Sequence, residues 1–299
     1  MARGRSLLKG LGILFLFVLI FFVGIFFYAY FTGGEAGVLT ALGGDSVGVV
    51  QIEGTINDSR DTIENLKRFG ESSGIKALVL RIDSPGGAVA PTQEIYEEVE
   101  KLRKKKPVIA SLGSVAASGG YYIASACDEV VSNPGTLTGS IGVIMELGNV
   151  EELMKKIGVQ GYSIKSGANK DVGSPLRPLS PEGKQILQTL VNNVHGQFVA
   201  AVAKGRRMTE EQVKPLADGR VYSGEQAKAL GLVDHLGNME DAVERAATRV
   251  GIKGKPQVVY SRSDEKSWWE RLFSSTFLRG LGRRESAGLR YEWSPSLLP

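Results

Sequence analysis

Two glycine-rich turns next to serine residues could support acyl-transfer chemistry. They are Asp83-Ser84-Pro85-Gly86-Gly87 and Ala117-Ser118-Gly119-Gly120, and each directly follows a predicted strand. Glycine lets the backbone approach a ligand closely, and a strand-to-helix turn presents free N–H groups that suit a developing oxyanion. An ordinary turn with a serine N-cap has the same pattern. The setting therefore makes Ser118 a candidate nucleophile, and it leaves a purely structural turn open.

A nucleophilic serine needs a base, and the sequence offers histidine or lysine. His195 and His235 are the only histidines, and no Gly-x-Ser-x-Gly pattern surrounds Ser118, which argues against a histidine triad. A lysine amine can perform the same proton transfers when burial keeps it neutral. The segment from residue 164 to 175 contains two candidates, Lys165 and Lys170, and composition alone does not choose between them.

Short β-branched runs alternate with helical patterns around these turns, which is typical of an α/β fold. Strands are predicted over 47–56, 77–82 and 108–112, and the second is apolar enough to be buried on both faces. Ile95 and Leu102 belong to a predicted helix that ends before Pro107.

Apolar stripes at helical spacing predict further helices, and such stripes are most often part of a core. One stripe contains Val150, Leu153, Met154 and Ile157, and a longer one contains Leu187, Leu190, Val191, Val194 and Phe198. Two more helices are predicted over 225–230 and 240–250, with Gly231 as a C-cap between them.

The N-terminal part predicts a single transmembrane anchor over residues 11–31. This run is uncharged and about long enough to cross the ~30 Å hydrocarbon core of a bilayer. It exceeds the apolar region of a typical cleaved signal peptide. Arg3, Arg5 and Lys9 precede it, which predicts a cytoplasmic N-terminus over 1–10 and an extracytoplasmic remainder at the cell (inner) membrane.

The rest of the chain divides by composition into a linker, a domain and a tail. Residues 32–46 are rich in glycine and predict a flexible linker, and 47–260 predict the folded domain. The tail from 261 to 299 combines arginines with Trp268, Trp269 and Phe273, which predicts either an interfacial amphipathic helix or a weakly ordered segment that packs on the domain or a partner.

Composition narrows the function classes. Cys127 is the only cysteine, so neither an internal disulfide nor a Cys-x-x-Cys metal site is available. The net charge of +4 is small for 299 residues, and no basic stripe with interleaved aromatics indicates a nucleic-acid partner.

Four segments taken together closely resemble the short, single-domain form of the signal peptide peptidase A family. The segments are Ser84-Pro85-Gly86-Gly87, Ala116-Ala117-Ser118-Gly119-Gly120-Tyr121-Tyr122, Leu137-Thr138-Gly139-Ser140-Ile141-Gly142-Val143 and Lys170-Asp171-Val172-Gly173-Ser174-Pro175. The resemblance extends from about residue 47 to 251 and does not cover the tail.

The resemblance implies a ClpP/crotonase-like α/β fold and a serine endopeptidase that degrades signal peptide remnants in the membrane. It implies Ser118 as nucleophile, Lys170 as general base and Ser140 as the residue that orients the lysine. Backbone N–H groups around Gly86, Gly87 and Gly119 would receive the oxyanion.

Family members assemble as rings or domes, so a homo-oligomer is expected, and Lys170 of one chain could serve Ser118 of another. Peptides and membrane lipid are the other expected partners, and the chemistry needs no metal or organic cofactor. Two alternatives from other classes are a crotonase-like acyl-CoA enzyme and a non-catalytic membrane scaffold.

Overall fold

The computed structural model describes residues 16–24, 45–261 and 290–292. Residues 16–24 form helix α1, which belongs to a different compact unit from the domain that begins at Ser46. Among the described residues, no helix is long and apolar enough to cross a membrane. The anchor predicted over 11–31 continues beyond α1 at both ends, and those residues lie outside the described part of the chain.

An α/β sheet organises the domain. Its described strands are β1 (Ser46–Glu53), β2 (Ile75–Ser84), β4 (Val108–Ala117), β5 (Glu129–Ser132), β6 (Leu137–Gly139), β7 (Val221–Ser223), β8 (His235–Leu236) and β9 (Gln257–Tyr260). They follow the order β7-β6-β4-β2-β1-β9, and β5 pairs with both β4 and β8. Neighbours in this sheet are parallel except for the antiparallel pair of β6 and β7.

A second, two-stranded sheet pairs segments that are far apart in the sequence. Strand β3 (Gly86–Ala88) pairs antiparallel with β10 (Arg290–Glu292), and Tyr291 lies opposite Gly87. Ile56 bridges to Gly87 on β3 in the parallel sense.

Helices cover both faces of the main sheet. They are α2 (Arg60–Glu71), α3 (Val89–Leu102), α4 (Gly119–Ser125), α5 (Glu151–Lys156), α6 (Pro181–Arg206), α7 (Glu210–Val213), α8 (Gly224–Ala229) and α9 (Met239–Arg249), with a 3-10 turn at Lys214–Leu216. The longest, α6, starts where the Ser180 side chain accepts a hydrogen bond from the Gly183 N–H at 3.0 Å, and Pro181 suits its first turn.

The core forms where the apolar central strands meet these helices. On one face, strand residues pack with alanines and a valine of α9: Val47, Val49, Ala77, Val79, Ile109 and Val131 with Ala242, Val243, Ala246 and Ala247. On α3, Ile95, Val99 and Leu102 are buried, as their spacing predicts. Because β2 is covered on both sides, its apolar run needs no polar alternation, and Leu78, Val79 and Leu80 are all fully buried.

One prediction about the core is wrong. The stripe around α5 has helical spacing, yet none of the residues in α5 is buried, and both Leu153 and Ile157 are exposed. Spacing shows that one face of a helix is apolar, but it does not show whether the same chain covers that face. In the longer stripe on α6, Val194 and Phe198 are buried while Leu190 is exposed, so that helix is covered towards its C-terminal half.

Candidate active site

Ser118 lies at the abrupt turn from β4 into α4. Its φ of 53° and ψ of −116° lie outside the regions that non-glycine residues prefer, and such a conformation costs about 1–3 kcal/mol. The turn is held by two backbone hydrogen bonds, since the Ser118 N–H donates to Gly139 at 2.8 Å and the Tyr122 N–H donates to Ser118 at 2.8 Å. Strain held in this way is typical of a nucleophile displayed on a strand-to-helix turn.

Ser140 lies beside Ser118 because the two serines end neighbouring parallel strands. The register of β4 and β6 pairs Ala117 with Gly139, so both serines follow a paired position. Ser140 also has a positive φ, 50°, and its N–H donates to the Arg220 carbonyl at 2.8 Å. Neither serine side chain has a hydrogen-bond partner within the described ranges, and both are buried.

The glycine backbones predicted to receive the oxyanion meet at one point. A Cβ atom on Gly86, which has a φ of 100°, would lie 2.7 Å from the Gly119 nitrogen, and a Cβ on Gly119 would lie 2.9 Å from the Thr92 Oγ1. Glycine is required at both positions because the two chain segments approach more closely than any side chain allows. Gly119 directly follows Ser118, so this contact brings β3 next to the nucleophile.

The loop that carries Gly86 is fixed from both sides. The Gly86 N–H donates to the Ser84 Oγ at 3.1 Å, and the Gly86 carbonyl accepts from the Ile56 N–H at 2.8 Å. The Gly86 N–H, one of the three predicted oxyanion donors, therefore already has a polar partner. Sequence spacing could not reveal this role of Ser84, because it depends on the folded loop.

The two candidate lysines differ in what their amines contact. The Lys165 Nζ donates to the Asp171 carboxylate at 2.6 Å and to the Ala168 carbonyl at 3.0 Å. Arg177 also pairs with Asp171 at 2.7 Å, and the hydrogen bonds from Lys165 and Arg177 lower the pKa of Asp171 to about 2. Lys170 is exposed, and no hydrogen bond or ion pair joins its amine to any described residue.

Lys170 and Ser118 are not brought together by contacts within one described chain. Ser118 is 1% exposed and directly follows strand β4, whereas Lys170 lies in a turn where its N–H donates to the Gly167 carbonyl at 3.2 Å. Among the described residues, no lysine or histidine is hydrogen-bonded to the Ser118 side chain.

The histidines differ from each other in their surroundings. His235 belongs to a charged cluster with Glu129 and Arg245 on the domain surface, which is a structural setting. His195, on α6, lines a groove of about 480 Å³ together with Ser140, and its Nε2 is buried without a hydrogen-bond partner in the described part of the chain. The sequence alone gave no reason to place His195 beside Ser140.

The position of the β4–α4 serine beside a glycine strand defines the class of this protein as a ClpP-like α/β serine hydrolase. Residues 46–135 match the Clp protease family, and residues 100–253 match Peptidase family S49. The chain belongs to Peptidase family S49 and is a serine peptidase, which confirms the resemblance predicted from its motifs.

Relatives with protease names support this assignment. A candidate protease of Synechocystis sp. is 47% identical over 224 residues, which cover 75% of this chain and 81% of the relative. Protease 4 of Salmonella typhi is 38% identical over 220 residues, 70% of this chain and 35% of the relative. The chloroplastic serine protease SPPA of Arabidopsis thaliana is 34% identical over 226 residues, 74% of this chain and 33% of the relative.

Proposed function

We propose that this serine peptidase is a membrane-anchored endopeptidase that degrades signal peptide remnants with a Ser118/Lys170 dyad. The observation that carries the proposal is the strained turn at Ser118, which lies against the close contact of Gly86 and Gly119. Strain of this kind is maintained where the geometry is needed for chemistry. The family assignment adds that the chemistry is peptide hydrolysis.

The mechanism has two acyl-transfer steps. The Ser118 Oγ attacks the peptide carbonyl carbon while the Lys170 amine accepts its proton and passes it to the leaving amine. Backbone N–H groups of Gly87 and Gly119, with Gly86 shaping the loop, stabilise the oxyanion. Water then releases the acyl group from Ser118. Ser140 orients the lysine amine from the end of the neighbouring strand.

The lysine comes from a neighbouring copy of the chain in this proposal. The segment that carries Lys170 also carries exposed apolar side chains, and large exposed apolar patches mark interaction sites. They are Ile144, Leu147, Leu153, Ile157, Val159, Tyr162 and Ile164. A second copy is the fitting partner, since it would cover this surface and would also supply the base that no described residue of the same chain provides to Ser118.

The anchor over residues 11–31 keeps the peptidase at the membrane where such substrates arise. Its support is the uncharged apolar run after Arg3, Arg5 and Lys9, and the exposed apolar side chains of α1, among them Phe17 and Phe21. The N-terminus is then cytoplasmic and the catalytic domain extracytoplasmic, in contact with lipid at the inner membrane.

Labelling with a fluorophosphonate tests the chemical part of the proposal. Wild-type protein should be labelled at one site, Ser118→Ala should lose the label, and Ser114→Ala should keep it. Ser114 is a matched control because it lies on the same strand, β4, but is exposed. Labelling that persists in Ser118→Ala would show that Ser118 is not the nucleophile.

Protease treatment of intact spheroplasts tests the topology. Protease added from outside should degrade the domain, because the proposal places it beyond the membrane. Protection of the domain until the membrane is lysed would reverse the topology and remove the proposed pool of substrates.

A further inference from the structure

Three charged side chains form an ion-pair cluster next to the proposed base. The Asp171 carboxylate accepts hydrogen bonds from the Lys165 Nζ at 2.6 Å, from the Arg177 Nη2 at 2.7 Å and from the Arg177 Nε at 3.0 Å. These bonds engage both carboxylate oxygens. We call Lys165, Asp171 and Arg177 the aspartate clamp. Within the described ranges, the carboxylate makes no ion pair with the adjacent Lys170 amine.

The aspartate clamp also holds the backbone of the turn that carries Lys170. The Asp171 carbonyl accepts hydrogen bonds from the Arg177 Nη2 at 3.2 Å and from the Ser174 N–H at 3.0 Å. The Lys170 N–H in turn donates to the Gly167 carbonyl at 3.2 Å. Arg177 therefore fixes both the side chain and the carbonyl of the residue that follows the proposed base.

A free carboxylate at position 171 would interfere with the neighbouring base. A general base must be neutral before it accepts a proton, and a carboxylate that faces an amine favours the charged form of that amine. The hydrogen bonds from Lys165 and Arg177 lower the pKa of Asp171 to about 2, so the carboxylate stays ionised at any pH suitable for a peptidase assay. Protonation therefore does not remove this charge, and the direction of the carboxylate decides its effect on the base.

The two cations of the aspartate clamp contribute unequally. Arg177 donates two N–H groups to the carboxylate and a third bond to the backbone, whereas Lys165 shares its amine between the carboxylate and the Ala168 carbonyl. A planar guanidinium fixes a carboxylate in a more defined geometry than an ammonium group does. Loss of Arg177 should therefore release the carboxylate, while loss of Lys165 leaves it bound to Arg177.

We propose that Arg177 and Lys165 are positioning residues that turn the Asp171 carboxylate away from the general base. This orientation lets the Lys170 amine stay neutral until it accepts the proton of the nucleophile. The inference rests on the proposed Ser118/Lys170 dyad and adds the residues that keep its base available.

Other charged or titratable groups would face the amine in the proposed shared site. Glu146, His195 and Asp218 line the groove beside Ser140, the residue that orients the lysine in the proposed mechanism. All three are unchanged in variants of the aspartate clamp. A difference in pH dependence between such variants therefore reports on the aspartate clamp and not on these groups.

The pH profile of kcat/KM tests the inference with the full chain in detergent and one internally quenched peptide. Activity should rise with pH as the base loses its proton, and the midpoint of this rise is measured. In Arg177→Ala the released carboxylate can face the amine, so the midpoint should move up by about 0.5–1 pH unit. Below the midpoint this shift lowers kcat/KM about three- to tenfold, whereas the plateau at high pH should match the wild type.

Removal of the carboxylate should reverse the effect. Arg177→Ala/Asp171→Asn should have its midpoint at or below that of the wild type, because no carboxylate is left to face the amine. Asp171→Asn alone should likewise not raise the midpoint. If the aspartate clamp only stabilised the loop, both single substitutions would lower activity alike at every pH, since they break the same hydrogen bonds.

Arg249→Ala is the matched control. Arg249 and Arg245 together bind the Glu129 carboxylate at 3.0 and 2.8 Å, so this variant also removes one of two cations from a carboxylate. Glu129 pairs with Ile109 near the start of β4, at the other end of that strand from Ser118. The midpoint and the plateau of the control should match the wild type.

An unmoved midpoint in Arg177→Ala, or a raised midpoint that the added Asp171→Asn does not restore, would overturn the inference while leaving the peptidase function intact. If Arg177→Ala does not fold, Asp171→Asn still decides, because a raised midpoint or a loss at every pH in that variant would overturn it too. Wild-type activity in Lys170→Ala would instead contradict the proposed dyad on which the inference rests.

Discussion

The segment that carries the nucleophile and the segment that carries the lysine are built in opposite ways. Every residue of α4, which follows Ser118, is buried, and β4 lies inside the sheet. The residues from 163 to 170 are all exposed, and α5 nearby has no buried side chain. The sheet therefore fixes the serine and the glycine backbones, whereas the lysine segment leaves its apolar side chains exposed, and the proposal has a second copy cover them.

Removal of the nucleophile should have the largest effect. Ser118→Ala should lower kcat at least about 10⁴-fold, because the acyl step has no other nucleophile in the proposed mechanism. Peptide hydrolysis by purified protein measures this, and the thermal unfolding midpoint checks the fold. Activity within tenfold of the wild type would move the chemistry away from the β4–α4 turn.

Substitution of the two candidate lysines should lower kcat by different amounts. Lys170→Ala should cost roughly a thousandfold or more in kcat, since a general base works as a unit with its nucleophile. Lys165→Ala should stay within about tenfold, because the Lys165 amine is already bound to Asp171. Circular dichroism should show both folds intact. A larger loss of kcat in Lys165→Ala than in Lys170→Ala would assign the role of general base to Lys165.

A methyl group at the glycine contact should cost less than loss of either dyad residue. In Gly119→Ala the new Cβ would lie 2.9 Å from the Thr92 Oγ1, so the turn must shift and the oxyanion donor moves with it. Loss of one such donor costs about 10²–10³-fold in kcat. Gly135→Ala is the matched control, since nothing lies within 4 Å of its added Cβ.

Partial rescue would sharpen this prediction. Removing the Thr92 hydroxyl and methyl in Gly119→Ala/Thr92→Ala should recover part of the lost activity, because the closest clash is gone. No loss in Gly119→Ala would mean that the Gly119 N–H does not contact the oxyanion.

The smallest effect on a single chain should come from the exposed apolar surface. Leu153→Ser and Ile157→Ser should change the free energy of unfolding by no more than about 0.5 kcal/mol, because both side chains are exposed. Sedimentation should nevertheless show weaker self-association. Leu230→Ser, another exposed leucine outside this segment, should leave association unchanged. Equal association in all three variants would place the interface elsewhere.

The sequence predicted the sheet and its two glycine turns because these features depend on local patterns. The strand predicted over 108–112 begins at Val108 as expected and extends to Ala117, and the helix with Ile95 and Leu102 ends at Leu102. The patterns that predict these features each span only a few residues. They are β-branched runs for strands, a proline after a helix for its end, and glycines after strands for turns. Gly231 also has a positive φ, 78°, after α8.

Features that depend on distant segments could not be predicted. Nothing local in the tail indicates that Tyr291 packs on Tyr122 and Phe198, because that contact requires β10 to pair with β3. The amphipathic helix predicted around Trp268 lies outside the described residues. For α5, the helical spacing of the apolar residues correctly predicted a helix. The predicted burial of those residues was wrong, because burial depends on what covers the helix. The role of Lys170 stays a prediction for the same reason.

Complementation between two inactive chains is the most direct test of the shared site. Full-length Ser118→Ala and Lys170→Ala chains would be co-expressed and purified together, with each variant alone as the control. If one copy's lysine serves the next copy's serine, random assembly should restore about a quarter of wild-type activity, since half the serines and half the lysines are intact. Associated mixed chains with no activity above either variant alone would contradict the shared site.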